Sequence, residues 1–211
     1  MPKTAGKAEK LVNEIANELS RELTDKSDFL SKLCQQDDWS FVIKSHAVIE
    51  AVVTQLIVGS IGESSLLEFV ERLPLADGRT GKLVVAKQLK LLGDPQLKYI
   101  RWLSELRNSI VHRYENLGFT FESHVAKLDK QGKTNWINSI LWFAPDGGAD
   151  GGLRKLAEND PKRAILIGVS MIVTLCIATS KNALMIEHFP NIKGLPSLLS
   201  ETNDADSELS G

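Results

Sequence analysis

The sequence predicts an all-α protein, a helical bundle built as one domain, and three observations lead there. Apolar residues recur at three- and four-residue steps in almost every segment. Residues that start and stop helices punctuate those segments: Asp-Pro pairs, a "DDWS" cap and glycines after apolar runs. Two-residue alternation, the mark of a strand, occurs only in "FTFESHV" (119–125), and no nearby stretch offers that segment a clear partner.

Taken in order, Ala8, Leu11, Val12, Ile15, Ala16, Leu19 and Leu23 describe a first amphipathic helix. A cap-like "TDKSD" leads into a short helical segment around Phe29, Leu30 and Leu33. "DDWS" then caps a long apolar helix, "FVIKSHAVIEAVVTQLIV", which stops near Gly59. "ESSLLEFVERL" is a short helix ended by Pro74, "LADGRTG" is loop, and "KLVVAKQLKLLG" is a helix closed by Gly93. Asp94 and Pro95 open the next helix, with proline in its first turn. After the ambiguous 119–125 segment, "NWINSILWF" reads as helix and "APDGGADGG" as a flexible loop. Asp160-Pro161 begins a final long helix that ends near His188. From residue 191 the chain turns polar and acidic, so a domain over 1–190 is followed by a flexible tail over 191–211.

The 211 residues suffice for one hydrophobic core. A net charge of −2 excludes a globally basic nucleic-acid binder, so such a role must rest on a local patch. Cys34 and Cys176 lack metal-ligand spacing and lie in apolar surroundings, which fits reduced, buried thiols in a cytoplasmic protein. The N-terminal lysines are followed by no apolar run of a signal peptide. "AILIGVSMIVTLCIATS" (164–180) is apolar enough to raise a membrane span, but a buried bundle helix accounts for it equally and is the preferred reading. There is no CxxC pair, phosphate-loop motif or dinucleotide fingerprint.

The segment "ELRNSIVHRYENL" (105–117) carries the chemistry. On a helical wheel Ile100, Leu103, Ile110, Val111 and Tyr114 share one side, with Arg107 among them. A guanidinium against a dry core needs a partner, or that face must open into a cleft. Asn108 and His112 lie on another face, four residues apart, and Arg107 and His112 project roughly 140° apart on an ideal helix. They converge on one ligand only if the helix end is distorted or a second chain faces the first. His46, Glu50 and Thr54 form a narrow polar seam on the long apolar helix, and Glu50 is the best candidate to pair with Arg107. Such a pair is equally compatible with a purely structural role. Residues 79–113 hold eight basic residues (Arg79, Lys82, Lys87, Lys90, Lys98, Arg101, Arg107, Arg113) against Asp94 and Glu105, a local excess of six that would attract phosphate. A helix-end histidine satisfied by Glu105 or Glu115 is the alternative reading of His112.

"RNSIVHRY" resembles the HEPN signature, Arg-x4-His, in its Arg-x4-His-x-Tyr form: Arg107, Asn108, His112 and Tyr114 match it position by position. The pieces "SFVIKSHAVIE", "LPLADGRTGKLVVAKQLKLLG", "LSELRNSIVH" and "FTF" are also similar to the mannitol-operon repressor subgroup, over roughly residues 40–121. The resemblance implies a dimeric antiparallel bundle and a metal-independent endoribonuclease without cofactor, a toxin or defence effector. In such enzymes the 2′-hydroxyl of RNA attacks the adjacent phosphate, leaving a cyclic phosphate and a 5′-hydroxyl. His112 would be the general acid/base, Arg107 would hold the phosphate and Asn108 would orient it. Glu50, His46 and Tyr114 would support the site, and Lys98, Arg101 and Arg113 would contact RNA. In a related subgroup the tyrosine equivalent to Tyr114 is modified by an antitoxin. The repressor-like subgroup implies instead a non-catalytic dimeric regulator or scaffold.

Overall fold

Asp37 caps a long central helix by accepting the Ser40 amide N–H at 2.9 Å. The helix it starts, α1 (Asp38–Ile61), ends where Gly62 takes φ 78° and returns its N–H to the Val58 carbonyl. The computed structural model describes residues 29–112, 114–144 and 151–188, and side chains only to 180 in the last stretch. A helical segment over 29–34 precedes α1. After it come α2 (Leu67–Arg72), α3 (Lys82–Gln88), α4 (Asp94–Val111), α5 (Phe121–Ala126), α6 (Lys130–Ile140), α7 (Gly152–Asn159) and α8 (Pro161–His188), with 3₁₀ turns at Ser64–Leu66 and Tyr114–Gly118. No strand forms among the described residues. The helix read over residues 8–23, most of the glycine-rich loop and the tail from 191 lie outside them.

The core is the shared face of α1, α4 and α8. Phe41, Ile49, Val53, Leu56 and Ile57 of α1 meet Ile100 and Leu103 of α4 and Ile165, Val169 and Ile172 of α8, all essentially without solvent contact. Each fully buried aliphatic side chain contributes about 1.5–3 kcal/mol. Among the described residues, two helices, Asp38–Ile61 and Pro161–Ser180, are long and apolar enough to cross a membrane. Both bury a large share of that surface against each other. Tyr99 passes from α4 to α8, where its hydroxyl donates to the Ile165 carbonyl at 2.9 Å. Asp38 joins three segments: one carboxylate oxygen accepts the Phe121 N–H at 2.9 Å, the other pairs with Lys162 at 3.2 Å. Lys162 also donates to the Gln36 carbonyl and sits 5.6 Å from the Phe41 ring centre.

Three local expectations change. "FTFESHV" is not a strand: Thr120 accepts the Ser123 N–H and caps α5, while Phe119 and Phe121 meet edge to face at 5.3 Å. The helix expected from Lys82 to Gly93 stops at Gln88, because Lys90 adopts φ 56°, a left-handed conformation that ends the helical ladder. Cys34 is half-buried where a buried thiol was expected. Cys176 is buried, and burial pushes its thiol up to about 12.

Candidate functional site

The site begins with a loop. Pro74 to Gly81 folds back on itself, with the Lys82 and Leu83 amides donating to the Pro74 and Leu75 carbonyls at 2.9 and 3.1 Å. Asp77 fastens its tip by accepting from the Thr80 and Arg79 amides and from the Thr80 hydroxyl at 2.7, 2.9 and 3.0 Å. Those bonds hold its carboxyl below the usual carboxylate range. Gly81 is required by packing, since a Cβ there would stand 2.5 Å from the Asp77 carbonyl oxygen. The loop thereby lays Leu75, Ala76 and Asp77 along the polar seam of α1 and starts α3 at Lys82.

A cleft of about 420 Å³ opens between this loop, α1 and α4. His46 and Glu50 line it from α1, and Arg101, Ser104, Glu105, Arg107 and Asn108 from α4. Arg107 is half-buried at the margin of the stripe formed by Ile100, Leu103 and Ile110. Its guanidinium donates to the Asn108 side-chain oxygen at 2.9 Å. No carboxylate among the described residues lies within salt-bridge distance of it. The cleft is therefore the answer to the misplaced arginine: its face opens to water where a dry core would demand a counter-ion.

The pairing expected between Glu50 and Arg107 does not form. Lys82 takes Glu50 instead, with Nζ 2.8 Å from Oε1, and the lysine is only 2% exposed. A buried ammonium has the stronger claim on a carboxylate, because desolvation leaves it no water to fall back on. Lys82 consequently leaves the basic stretch as a surface charge, and Lys87 is matched by Asp94 at 3.1 Å. His46 is half-buried in the α1 wall of the cleft. Burial lowers its pKa below the ordinary 6.5; Glu50 opposes that shift, while Arg107 and then Lys82 reinforce it.

His112 stands apart. It follows the last residue of α4, at φ −83° and ψ 1°, exposed and outside the cleft's lining. Asn108, expected on the His112 face, turns toward Arg107 and shares the cleft with it. Arg101 and Lys98 are exposed on α4, and Arg101 reaches the cleft. Tyr114 opens the 3₁₀ turn, and Arg113 lies outside the described residues. Thr54 returns its hydroxyl to the Glu50 carbonyl within α1 at 2.8 Å. A larger groove of about 960 Å³, between residues 30–35 and α8, has Arg163 as its only charged lining residue among those described. It offers no proton-transfer group comparable to His46. No cluster of three His, Cys, Asp or Glu side chains suited to a metal ion occurs among the described residues.

Sequence reasoning missed Lys82 as Glu50's partner, the 74–77 wall and Ser104. The Asp77-x-x-Thr80 spacing was a usable signal for the closed loop; nothing local announced the 32-residue pairing of Lys82 with Glu50. Fold and site together define an all-helical protein, among the described residues, with a polar cleft around an arginine that no described carboxylate pairs. No family model, curated protein or solved structure matches the chain.

Proposed function

We propose that the protein is a metal-independent endoribonuclease of the HEPN type, a cytoplasmic toxin or defence effector that works as a homodimer on RNA. The observation that carries this reading is Arg107, a half-buried guanidinium in an open cleft whose hydrogen-bond partner is Asn108 and which no carboxylate among the described residues reaches at salt-bridge distance. Such a group is free to take a phosphate oxygen and to stabilise the charge that grows as the 2′-oxygen attacks phosphorus. His112, matching the motif histidine, transfers the protons: one leaves the 2′-hydroxyl and one reaches the departing 5′-oxygen. Since His112 lies outside its own chain's Arg107 cleft, the reading requires a second chain to complete the site. The same reading gives Lys98, Arg101 and Arg113 the contacts to the RNA backbone.

The test is cleavage of RNA in the presence of a chelator. Cyclic phosphate ends are expected from the wild type, with losses of about 10²–10³-fold in Arg107→Ala and about 10²–10⁴-fold in His112→Ala. Absence of cleavage, or cleavage indifferent to both changes, refutes it. One observation favours a second reading: the separation of His112 from Arg107 on one chain suits a non-catalytic dimeric regulator resembling the mannitol-operon repressor subgroup. Binding of a partner protein, antitoxin or nucleotide without RNA cleavage would select that alternative.

A further inference from the structure

We propose that the outer groove of α8 is the seat of this chain's own segment 8–23, which its apolar spacing reads as an amphipathic helix. The groove shares no lining residue with the Arg107 cleft among the described residues, so the inference stands apart from the ribonuclease reading.

α8 is apolar on two sides, and the core uses one of them. Ile165, Val169, Ile172 and Ile177 turn inward and are buried. Leu166, Ile167, Met171, Leu175 and Ala178 recur at helical spacing on the outer side, half-buried or, at Met171, 41% exposed. Between them they floor two adjoining hollows of about 960 and 560 Å³, which have Leu166, Ile167, Ser170 and Thr174 in common. A helix apolar on both sides belongs inside a protein, yet the described elements leave this stripe open. Ser170 returns its hydroxyl to the Leu166 carbonyl at 2.8 Å, and Arg163 is paired with Asp160 at 3.3 Å. The groove therefore suits an apolar occupant and not a charged one.

The place where the described chain begins selects that occupant. Segment 29–34 forms the opposite wall of the groove through Leu30, Ser31 and Cys34, and Leu30 and Leu33 fix it to the core. The residues before it thus start at the edge of the groove. "TDKSD" (24–28) reaches at most about 17 Å, which keeps residue 23 close to the outer stripe. Ahead of it, Leu11, Val12, Ile15, Ala16, Leu19 and Leu23 occupy an arc of about 140° on a helical wheel. The rise from Leu11 to Leu23 equals that from Leu166 to Ala178, about 18 Å of helix. So short a tether gives the segment an effective concentration of about a millimolar at its own groove, which an unlinked second copy or another protein has to exceed. The chain itself holds two apolar stripes of equal length beside each other.

Amide exchange of the full chain, followed by mass spectrometry, tests the proposal. Residues 8–23 should exchange at least about tenfold more slowly than in an Ile15→Asp, Leu19→Asp variant, whatever the protein concentration. Met171→Asp, a change at an exposed position of the groove, should release the segment equally while α1 amides stay protected. Alkylation of Cys34 gives an independent reading, because Cys34 lines the groove and Cys176 is buried. Its rate should rise in both variants, with Cys176 unreactive throughout. Fast exchange of residues 8–23 in the wild type overturns the proposal, as do exchange and Cys34 rates that Met171→Asp leaves untouched. Protection that fades on dilution, with light scattering showing a larger species, assigns the groove to a second copy and overturns it too. Protection that appears only when phosphatidylcholine vesicles are added assigns it to a membrane, with the same consequence.

Discussion

Lys82 and Glu50 form an ion pair of 2.8 Å between α3 and α1, in which the lysine is 2% and the glutamate 36% exposed. This pair decides the character of the cleft: by occupying Glu50 it leaves Arg107 with no carboxylate at salt-bridge distance among the described residues. Glu50→Ala should strand the buried ammonium and destabilise the protein by about 2–4 kcal/mol, the glutamate's partial exposure moderating the loss expected for a fully buried pair. Replacing both residues, as Lys82→Met with Glu50→Leu, should recover most of that loss. Urea midpoints of Glu50→Leu, Lys82→Met and the double variant complete the cycle, and simple additivity of the two single losses would disprove the coupling.

Gly168 and Tyr99 are complementary across the α4–α8 contact. A Cβ at residue 168 would stand 2.8 Å from the Tyr99 hydroxyl and 3.1 Å from the Trp142 ring nitrogen. Both neighbours are held: Tyr99 bonds to the Ile165 carbonyl and contacts the Trp102 and Trp142 rings at 5.7 and 5.8 Å. Gly168→Ala should therefore cost about 1–3 kcal/mol despite alanine's better helix propensity. Tyr99→Phe should cost only about 1 kcal/mol, through the lost hydrogen bond. Thermal unfolding of both variants ranks them, and a more stable Gly168→Ala would show that the helices part freely.

Stability should fall on the acid side of neutrality. His46 and His124 both have folded pKa values below 6.5, driven first by burial, with His124 packed 4.8 Å from the Trp136 ring. For a base with a depressed pKa the unfolded chain holds more protons between the two values, so stability rises with pH there. Their contributions are fully present above 6.5 and are lost as pH falls from that value through the folded pKa values. Comparing unfolding at about pH 8 and about pH 5 in wild type, His46→Asn and His124→Asn checks the sign. Each variant should flatten the profile, and a profile steepened by either substitution would contradict it.

Gly81→Ala should open the cleft wall. The added methyl collides with the backbone of Asp77, which cannot yield without releasing the Lys82 and Leu83 amides from Pro74 and Leu75. Amide exchange at Thr80, Lys82 and Leu83 should quicken markedly while α8 amides stay protected. Uniform loss of protection would mean that the loop is part of the core and not a wall laid on it.

Much of the helical fold was legible because its signals are local. Asp37, Pro95 and Asp160 sit where capping and helix-start rules place them, and apolar spacing marks the buried face of α1, although that helix runs past the stop expected near Gly59 and is capped by Gly62. The 119–125 segment misled because a two-phenylalanine alternation is too short to distinguish from a capped helical turn, and Thr120 was not read as the cap. At the site, the wheel showed that Arg107 needed a counter-ion or a cleft, which was readable from one helix. Choosing between them was not, because the choice depends on Lys82 reaching Glu50 across 32 residues. The approach of His46 to Arg107 was hidden for the same reason: it arises from α1 packing on α4, which no local pattern encodes.

The central claim is that two chains build one nuclease site, Arg107 from one and His112 from the other. Complementation tests it most directly: Arg107→Ala and His112→Ala chains, each inactive as a homodimer, are co-expressed and assayed for chelator-resistant RNA cleavage. A mixed dimer that keeps one intact Arg107–His112 pairing should recover part of the wild-type rate. Mixed dimers that form and remain as inactive as their parents would contradict the claim.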